Sequence, residues 1–199
     1  PPTAAPRAIR TSESRDADEL QAFIGAMHVV GTPLAQKIVT AIQPGPARNL
    51  IDVGGASGTY TIAFLKAAPE LKATLFDRPA VIPMARERLA EAGVLDRVRL
   101  VAGDFHRNEL PGGHDLALLS AIIHQSSPDE NLDLFRKIFH ALVSGVRLVF
   151  TRARPGQMHL AAEERHRVSK VLRAPDLEPL AQARRARAQR RDQRRRQTA

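Results

Sequence analysis

Apolar residues recur at helical spacing near the start of the chain. Positions i, i+3, i+4 and i+7 are apolar within residues 17–28 and again within residues 34–42, which is the pattern of a helix with one buried face. Pro44-Gly45-Pro46 follows and is typical of a helix end. The pattern therefore predicts two helices ahead of the first strand.

Short apolar runs then alternate with further helical patterns. The runs predict five strands and the patterns between them predict three helices, with strands near 49–53, 72–76, 97–102, 115–120 and 146–151 and helices near 59–68, 80–92 and 128–142. Ser127, Pro128 and Glu130 give the last helix a clear start, because they combine an N-cap, a first-turn proline and a capping box. Alternating strands and helices indicate an α/β, Rossmann-like fold with a mostly parallel sheet.

The segment Leu50–Tyr60, LIDVGGASGTY, has the order strand, glycine loop, helix start. Glycines at 54, 55 and 58 allow the main chain to approach a ligand, and the helix start offers backbone N–H groups to it. The spacing departs from G-x-G-x-x-G because Ala56 occupies the third position, which disfavours a dinucleotide. A plain turn between strand and helix is the competing interpretation.

Two carboxylates follow the next two predicted strands. Asp77 ends the second strand 19 residues after Gly58, where open α/β sheets place an acid that binds ribose hydroxyls. Asp104 and Phe105 follow the third strand, where a carboxylate could accept a hydrogen bond from an adenine amino group and a ring could pack on the base. A turn with a buried phenylalanine would give the same pattern.

The ordered set D-V-G-G-x-x-G, an acid after strand two, G-D-F and LLSAIIH resembles the S-adenosylmethionine-dependent class I O-methyltransferases. The branch is the one with plant phenolic and bacterial polyketide and phenazine enzymes, and the resemblance runs from about Phe23 to Phe150. It implies S-adenosyl-L-methionine as cofactor, with the methionine part at the glycine loop, the ribose at the second-strand acid and the adenine at the third. The cofactor contacts so predicted are Asp52, Gly54, Gly55, Gly58, Asp77, Asp104 and Phe105.

The resemblance also implies that His124 is the general base. The family places this histidine after strand four, commonly within I-L-H-D-W, whereas residues 122–126 here read I-I-H-Q-S and lack the Asp-Trp pair. The role is chemically reasonable, since a phenol of pKa about 10 is a poor nucleophile until a neutral imidazole takes its proton. A histidine that only hydrogen-bonds its helix is the alternative.

Composition excludes several kinds of chemistry and divides the chain in two. The absence of cysteine removes disulfides and thiolate sites, and the histidines lack metal-binding spacing, so no metal is expected. Residues 1–150 carry 16 basic and 16 acidic side chains, whereas residues 151–199 carry 14 and 5 and account for the net charge of +9. We expect a disordered lead-in at 1–16, a helical segment at 17–45, the cofactor-binding domain at 46–150 and a basic, low-complexity tail at 151–199.

The tail admits two interpretations. It is either a basic arm that binds nucleic acid or anionic lipid, or the product of a truncated gene or a frame change near residues 143–146. In the second case the family sequence, which has seven strands and an N-terminal dimerisation domain, would be incomplete at both ends. The five predicted strands and the missing final antiparallel hairpin agree with that expectation.

The expected function is methyl transfer to a hydroxyl of a small, aromatic or polyketide-like acceptor. A non-catalytic remnant, a nucleic-acid-binding module and a nicotinamide-dependent oxidoreductase are the competing functions, the last disfavoured by the glycine spacing.

The resemblance implies a homodimer. No uninterrupted run of 18 apolar residues occurs, so the sequence predicts no membrane span and a cytoplasmic location.

Overall fold

The computed structural model describes residues 16–120, 122–153 and 166–173. These residues form one sheet with helices on both faces. Its strands are β1 Asn49–Val53, β2 Lys72–Asp77, β3 Val98–Ala102, β4 His114–Ser120, β5 Leu142–Ala153 and β6 His166–Arg173, and its helices are α1 Ala17–Ile42, α2 Thr59–Ala67, α3 Ile82–Glu91 and α4 Pro128–Ala141. The α/β class and the mostly parallel sheet predicted from the sequence are confirmed.

The strands lie in the order β3-β2-β1-β4-β5-β6. Strands β1 to β5 run parallel to one another, and β6 pairs antiparallel with β5. The chain moves outward from β1 to β3 and then returns to place β4 on the other side of β1. Open parallel sheets bind ligands at the carboxyl ends of their strands, beside such a reversal. The topology therefore points to the carboxyl ends of β1 and β4.

Each face of the sheet packs into its own apolar cluster. Leu50 of β1 belongs to the cluster formed with α1, α2 and α3, whereas the next residue, Ile51, belongs to the cluster formed with α4. Burial on both faces explains why the strands read as nearly continuous apolar runs. Helix α4 begins as predicted, because the Ser127 hydroxyl accepts from the Glu130 N–H and the Glu130 carboxylate accepts from the Ser127 N–H.

The prediction of two helices before β1 is wrong, because α1 is a single helix with Pro33 inside it. Proline removes one backbone hydrogen bond from a helix interior, but the apolar residues on both sides of Pro33 pack in the core and keep the helix continuous. By length and average composition α1 could also cross a membrane. Eight of its 26 residues are buried in the described structure, whereas Met27 and Val29 are exposed.

The prediction of five strands is also wrong, since β6 is a sixth strand and pairs antiparallel with β5. It lies within the predicted tail, where the sequence HRVSKVLR carries three apolar residues among cationic ones. The β4–β5 register shifts between His114 and Leu116, opposite the segment that begins at Leu142. Of the predicted lead-in at 1–16 only Asp16 is described, as the N-cap of α1, and the arginine-rich run at 181–199 lies outside the described residues.

Candidate functional site

The carboxyl ends of the first three strands lie side by side. The N–H of Gly54, which follows β1, donates to the carbonyl of Phe76 in β2 at 2.8 Å. The N–H of Gly103, which follows β3, donates to the carbonyl of Asp77 at 2.9 Å. The residues after β1, β2 and β3 are therefore joined at one edge of the sheet. The two acids expected to bind cofactor, Asp77 and Asp104, both lie at this edge.

The glycine loop takes a shape that requires small residues. Gly54 and Gly58 have φ of 70° and 77°, in the left-handed region that glycine adopts readily. A Cβ atom at Gly54 would lie 2.9 Å from Cγ2 of Ile122, and one at Gly55 would lie 2.7 Å from Cγ of Leu75. The loop is thus packed between β2 and the segment after β4.

Asp77 holds the glycine loop in place. Its Oδ2 accepts a hydrogen bond from the N–H of Ala56 at 2.8 Å, and its Oδ1 accepts from the N–H of Arg78 at 2.7 Å. Burial raises the pKa of the Asp77 carboxyl, and these two N–H groups oppose that rise. Because a carboxylate has about four lone-pair sites, Asp77 retains acceptor capacity for a ligand hydroxyl.

Asp52 is a fully buried carboxyl beneath the same loop. The hydroxyl of Thr61 donates to its Oδ2 at 2.7 Å, whereas no protein donor among the described residues reaches its Oδ1. Burial raises the pKa of Asp52 to about 7, the Thr61 hydrogen bond opposes the rise, and the charge of Asp77 adds to it. An unpaired buried acceptor of this kind fits a ligand that brings a positive charge or a hydrogen-bond donor.

Asp104 organises a tight turn after β3. Its N–H donates to Oδ1 of Asn108, and its own Oδ1 accepts from the N–H of His106, both at 2.8 Å. Phe105 is partly buried against the α4-side cluster. Its Cε1 lies 3.8 Å from the position that a Cβ of Gly54 would take, so Phe105 lies directly over the start of the glycine loop.

His124 lies in a short 3₁₀ turn, Ile123–Gln125, that follows β4. The side-chain amide of Asn131, on α4, donates to the carbonyls of Ile123 and Ser126 at 2.7 and 3.1 Å. The hydroxyl of Ser126 is hydrogen-bonded to Nε2 of His106 at 3.2 Å. The turn that carries His124 is therefore tied both to α4 and to the turn that follows β3.

The sequence did not single out two polar residues of this site. Thr61 lies in α2 and donates to Asp52, and Asn131 lies in α4 and supports the turn of His124. Thr61 is a polar residue within a largely apolar helix, whereas Asn131 is one of several polar residues on an amphipathic helix and has no sequence signal of its own. Among the described residues no three His, Asp or Glu side chains come together as a metal site would require.

Two cavities, each of about 380 Å³, lie away from this edge. One is at the amino ends of the strands, with Lys72 and Arg99 in its lining, and the other is a groove between α1, α2 and α3 that includes His28 and Arg88. At the carboxyl edge, by contrast, Ile122 and Phe105 pack close to Gly54. These two side chains cover the start of the glycine loop.

The comparison with known families decides what kind of domain has this geometry. A family model described as an O-methyltransferase domain matches residues 4–191. The chain belongs to this O-methyltransferase domain family. The match extends past Phe150, where the resemblance was expected to end, and includes β6, so it does not favour a frame change near residues 143–146.

Individual relatives agree with the family. The chain is 33% identical over 125 residues to 3-hydroxy-5-methyl-1-naphthoate 3-O-methyltransferase of Streptomyces sahachiroi, covering 63% of this chain and 36% of that protein. It is 31% identical over 129 residues to L-tyrosine C(3)-methyltransferase of Streptomyces lavendulae, covering 65% of this chain and 35% of that protein. The structure of mitomycin 7-O-methyltransferase superposes with a TM-score of 0.67 at 30% identity, covering 71% of this chain and 41% of that protein.

The chain spans about a third of the length of the curated relatives it matches. The family match over residues 4–191 includes the carboxyl edge described above.

Proposed function

We propose that this O-methyltransferase domain binds S-adenosyl-L-methionine at the carboxyl edge of β1, β2 and β3 and transfers its methyl group to a hydroxyl of a small aromatic acceptor. The observation that carries the proposal is the arrangement of Asp77, whose buried carboxylate is hydrogen-bonded to the glycine loop while keeping acceptor capacity. Solved relatives include an S-adenosylmethionine-dependent methyltransferase at 31% identity, which supports the same cofactor here.

Each part of the cofactor has a proposed partner. The glycine loop and the unpaired oxygen of Asp52 meet the methionine part, whose ammonium supplies the missing donor. Asp77 accepts from the ribose hydroxyls, and Asp104 with Phe105 meets the adenine. The contact residues in this proposal are Asp52, Gly54, Gly55, Gly58, Asp77, Asp104 and Phe105.

The bound cofactor supplies a methyl carbon on a sulfonium, whose sulfur leaves as a neutral thioether. The chain contributes a base and an orientation. His124 would take the proton from the acceptor hydroxyl, so that the oxygen could displace that thioether from the methyl carbon. The proton on His124 then passes to solvent. Asn131 fixes the turn that carries His124 and so sets the position of the base.

Methylation at carbon is a second candidate, because one relative is named as an L-tyrosine C(3)-methyltransferase. Deprotonation of a phenol also activates the ring carbons beside the oxygen, so the same base could serve either outcome. The site of the transferred methyl in the product, read by nuclear magnetic resonance, separates the two candidates.

The first test is calorimetric titration of the purified chain with S-adenosyl-L-methionine and S-adenosylhomocysteine. We expect saturable binding of both and none of NAD, which would also reject the oxidoreductase alternative. Transfer of a labelled methyl group to a panel of phenols and hydroxynaphthoates then tests the reaction. Binding without transfer to any acceptor would identify a non-catalytic remnant, and no binding by the folded chain would overturn the proposal.

The basic tail needs a separate test. A nucleic-acid arm predicts salt-dependent retention of a short labelled RNA that is lost when residues 181–199 are deleted. Equal retention by the shortened chain would reject the arm. The homodimer and the cytoplasmic location stay predictions from the sequence.

A further inference from the structure

Helix α4 contacts the turn after β3 through the side chain of Lys137. Its Nζ donates hydrogen bonds to the backbone carbonyls of Phe105, His106 and Asn108, at 3.0, 3.1 and 2.9 Å. A lysine ammonium has three N–H donors. All three therefore have an acceptor within one four-residue stretch, about thirty residues away in the chain.

Several other backbone groups of the turn are hydrogen-bonded within it. The carbonyl of Asp104 accepts from the N–H groups of Arg107 and Asn108 at 3.0 and 2.7 Å, and its carboxylate accepts from the N–H of His106. Among the described contacts, the three carbonyls named above receive their donor from Lys137. The hydrogen bond to the Phe105 carbonyl is partly buried, whereas those to the carbonyls of His106 and Asn108 are exposed, where water can replace the donor. Since a partly buried carbonyl without a donor costs free energy, Lys137 stabilises this conformation of the turn mainly at Phe105.

The same turn carries the residues proposed to meet the adenine. Phe105 lies over Gly54, with its Cε1 3.8 Å from the position a Cβ there would take. The ring of Phe105 also lies 4.5 Å, between centroids, from the ring of His106. The backbone that sets the position of both rings is the backbone that Lys137 binds.

We propose that Lys137 is a positioning residue for the cofactor, which acts by fixing the backbone of Phe105. This inference rests on the proposed function, because it assumes that the turn after β3 meets the adenine. Without Lys137 the turn would sample other conformations, and the cofactor would have to order it on binding. The expected consequence is weaker cofactor binding with little change in the chemical step.

The test is the dissociation constant of S-adenosylhomocysteine for Lys137→Met, measured by calorimetry. Because three charge-assisted hydrogen bonds are removed, we expect binding to weaken by about 10-fold or more. The turnover rate at saturating cofactor should stay within about 2-fold of wild type, since the lost interaction is not specific to the transition state. Arg136→Met is the matched control, because Arg136 is the neighbouring cation on α4 and pairs with Asp133 at 3.0 Å in solvent.

Two further variants separate positioning from a general loss of folding. Lys137→Arg keeps the charge but presents its donors in a planar fork, so it should bind more tightly than Lys137→Met and less tightly than wild type. Lys137→Gln keeps a neutral donor should the methionine variant fail to fold. In a double-mutant cycle, Lys137→Met should have little further effect in a Phe105→Ala background, because the two act through one contact.

The outcomes are distinguishable. If wild type binds and Phe105→Ala weakens binding but Lys137→Met and Lys137→Gln do not, the role of Lys137 is rejected while the proposed function stands. Additive effects of Lys137→Met and Phe105→Ala would likewise reject action through Phe105. If wild type itself does not bind S-adenosylhomocysteine, the proposed function fails first.

Discussion

Asp77 and Ala56 are joined by a hydrogen bond of 2.8 Å between the carboxylate Oδ2 and the backbone N–H. Ala56 has a φ of 50°, a left-handed conformation that costs a residue with a side chain about 1–2 kcal/mol. The acid expected to bind the ribose thus also holds a strained residue of the glycine loop. Loop shape and the proposed ligand contact therefore depend on one carboxylate.

We expect Asp77→Asn to weaken S-adenosyl-L-methionine binding by about 10- to 100-fold, as hydrogen bonds to a charged group contribute about 1.5–3 kcal/mol. The amide has only one acceptor atom, so the N–H of either Ala56 or Arg78 would lose its partner. Calorimetry gives the affinity. Asp115→Asn is the matched control, because Asp115 accepts from the N–H groups of Arg48 and Asn49 in the same way at the opposite edge.

A smaller effect for Asp77→Asn than for Asp115→Asn would contradict the ribose assignment. Thermal unfolding of both variants should accompany the titrations. It shows whether a loss of affinity reflects a loss of fold.

Gly54→Ala tests the close packing of the loop. The substitution places a Cβ 2.9 Å from Ile122 at a residue with a left-handed φ. We therefore expect the unfolding free energy to fall by about 2–5 kcal/mol and the cofactor to bind more weakly. Gly93→Ala is the control, since Gly93 has a similar φ of 68° but no atom within 4 Å of its Cβ position. It should cost about 1–2 kcal/mol. Equal losses in urea unfolding would show that packing at Gly54 contributes little.

His124→Ala should lower the rate of methyl transfer by roughly 100-fold or more while leaving cofactor affinity nearly unchanged, because a general base acts only in the chemical step. Single-turnover kinetics with labelled cofactor measure the rate, and calorimetry measures the affinity. His140→Ala is the control, since His140 is an exposed histidine at the far end of α4. An unchanged rate in His124→Ala would remove this histidine from the mechanism.

The elements that the sequence predicted well are those with a strong local signal. Strand β1 was predicted at 49–53 and is observed there, because burial on both faces selects the apolar residues Leu50, Ile51 and Val53, which only the buried Asp52 interrupts. The start of α4 was predicted from Ser127 and Glu130, whose capping box depends on residues three apart. The placement of Asp77 and Asp104 at one edge followed from topology alone, since parallel strands share their carboxyl edge.

The features that the sequence did not predict depend on distant contacts. Helix α1 continues through Pro33 because tertiary packing outweighs a local helix breaker. Strand β6 was missed because its few apolar residues lie within a strongly basic segment and it is defined by its pairing with β5. Lys137 and Asn131 bind carbonyls in turns that precede their helix, and no periodicity in the sequence reports such a contact.

Asp52 predicts how stability depends on pH. Its folded-state pKa of about 7 lies above its ordinary value of 3.8, so the folded protein holds a proton that the unfolded chain has released between these values. The stability contributed by protonated Asp52 is therefore complete below about pH 4 and is lost as pH rises through about 7. Burial raises the pKa of Asp77 as well, so Asp77 also makes the folded state less stable as pH rises.

We expect Asp52→Asn, which is neutral at every pH, to lose part of this dependence. Urea unfolding from pH 4 to pH 9 should show the unfolding free energy of the variant rising relative to that of wild type up to about pH 7 and levelling off above it, because only wild type must ionise a buried group. Saturating S-adenosyl-L-methionine should reduce the loss in wild type, since a bound cation stabilises the ionised carboxylate. Parallel stability curves for the two proteins would mean that Asp52 stays ionised throughout, with a partner that the hydrogen bond from Thr61 alone does not provide.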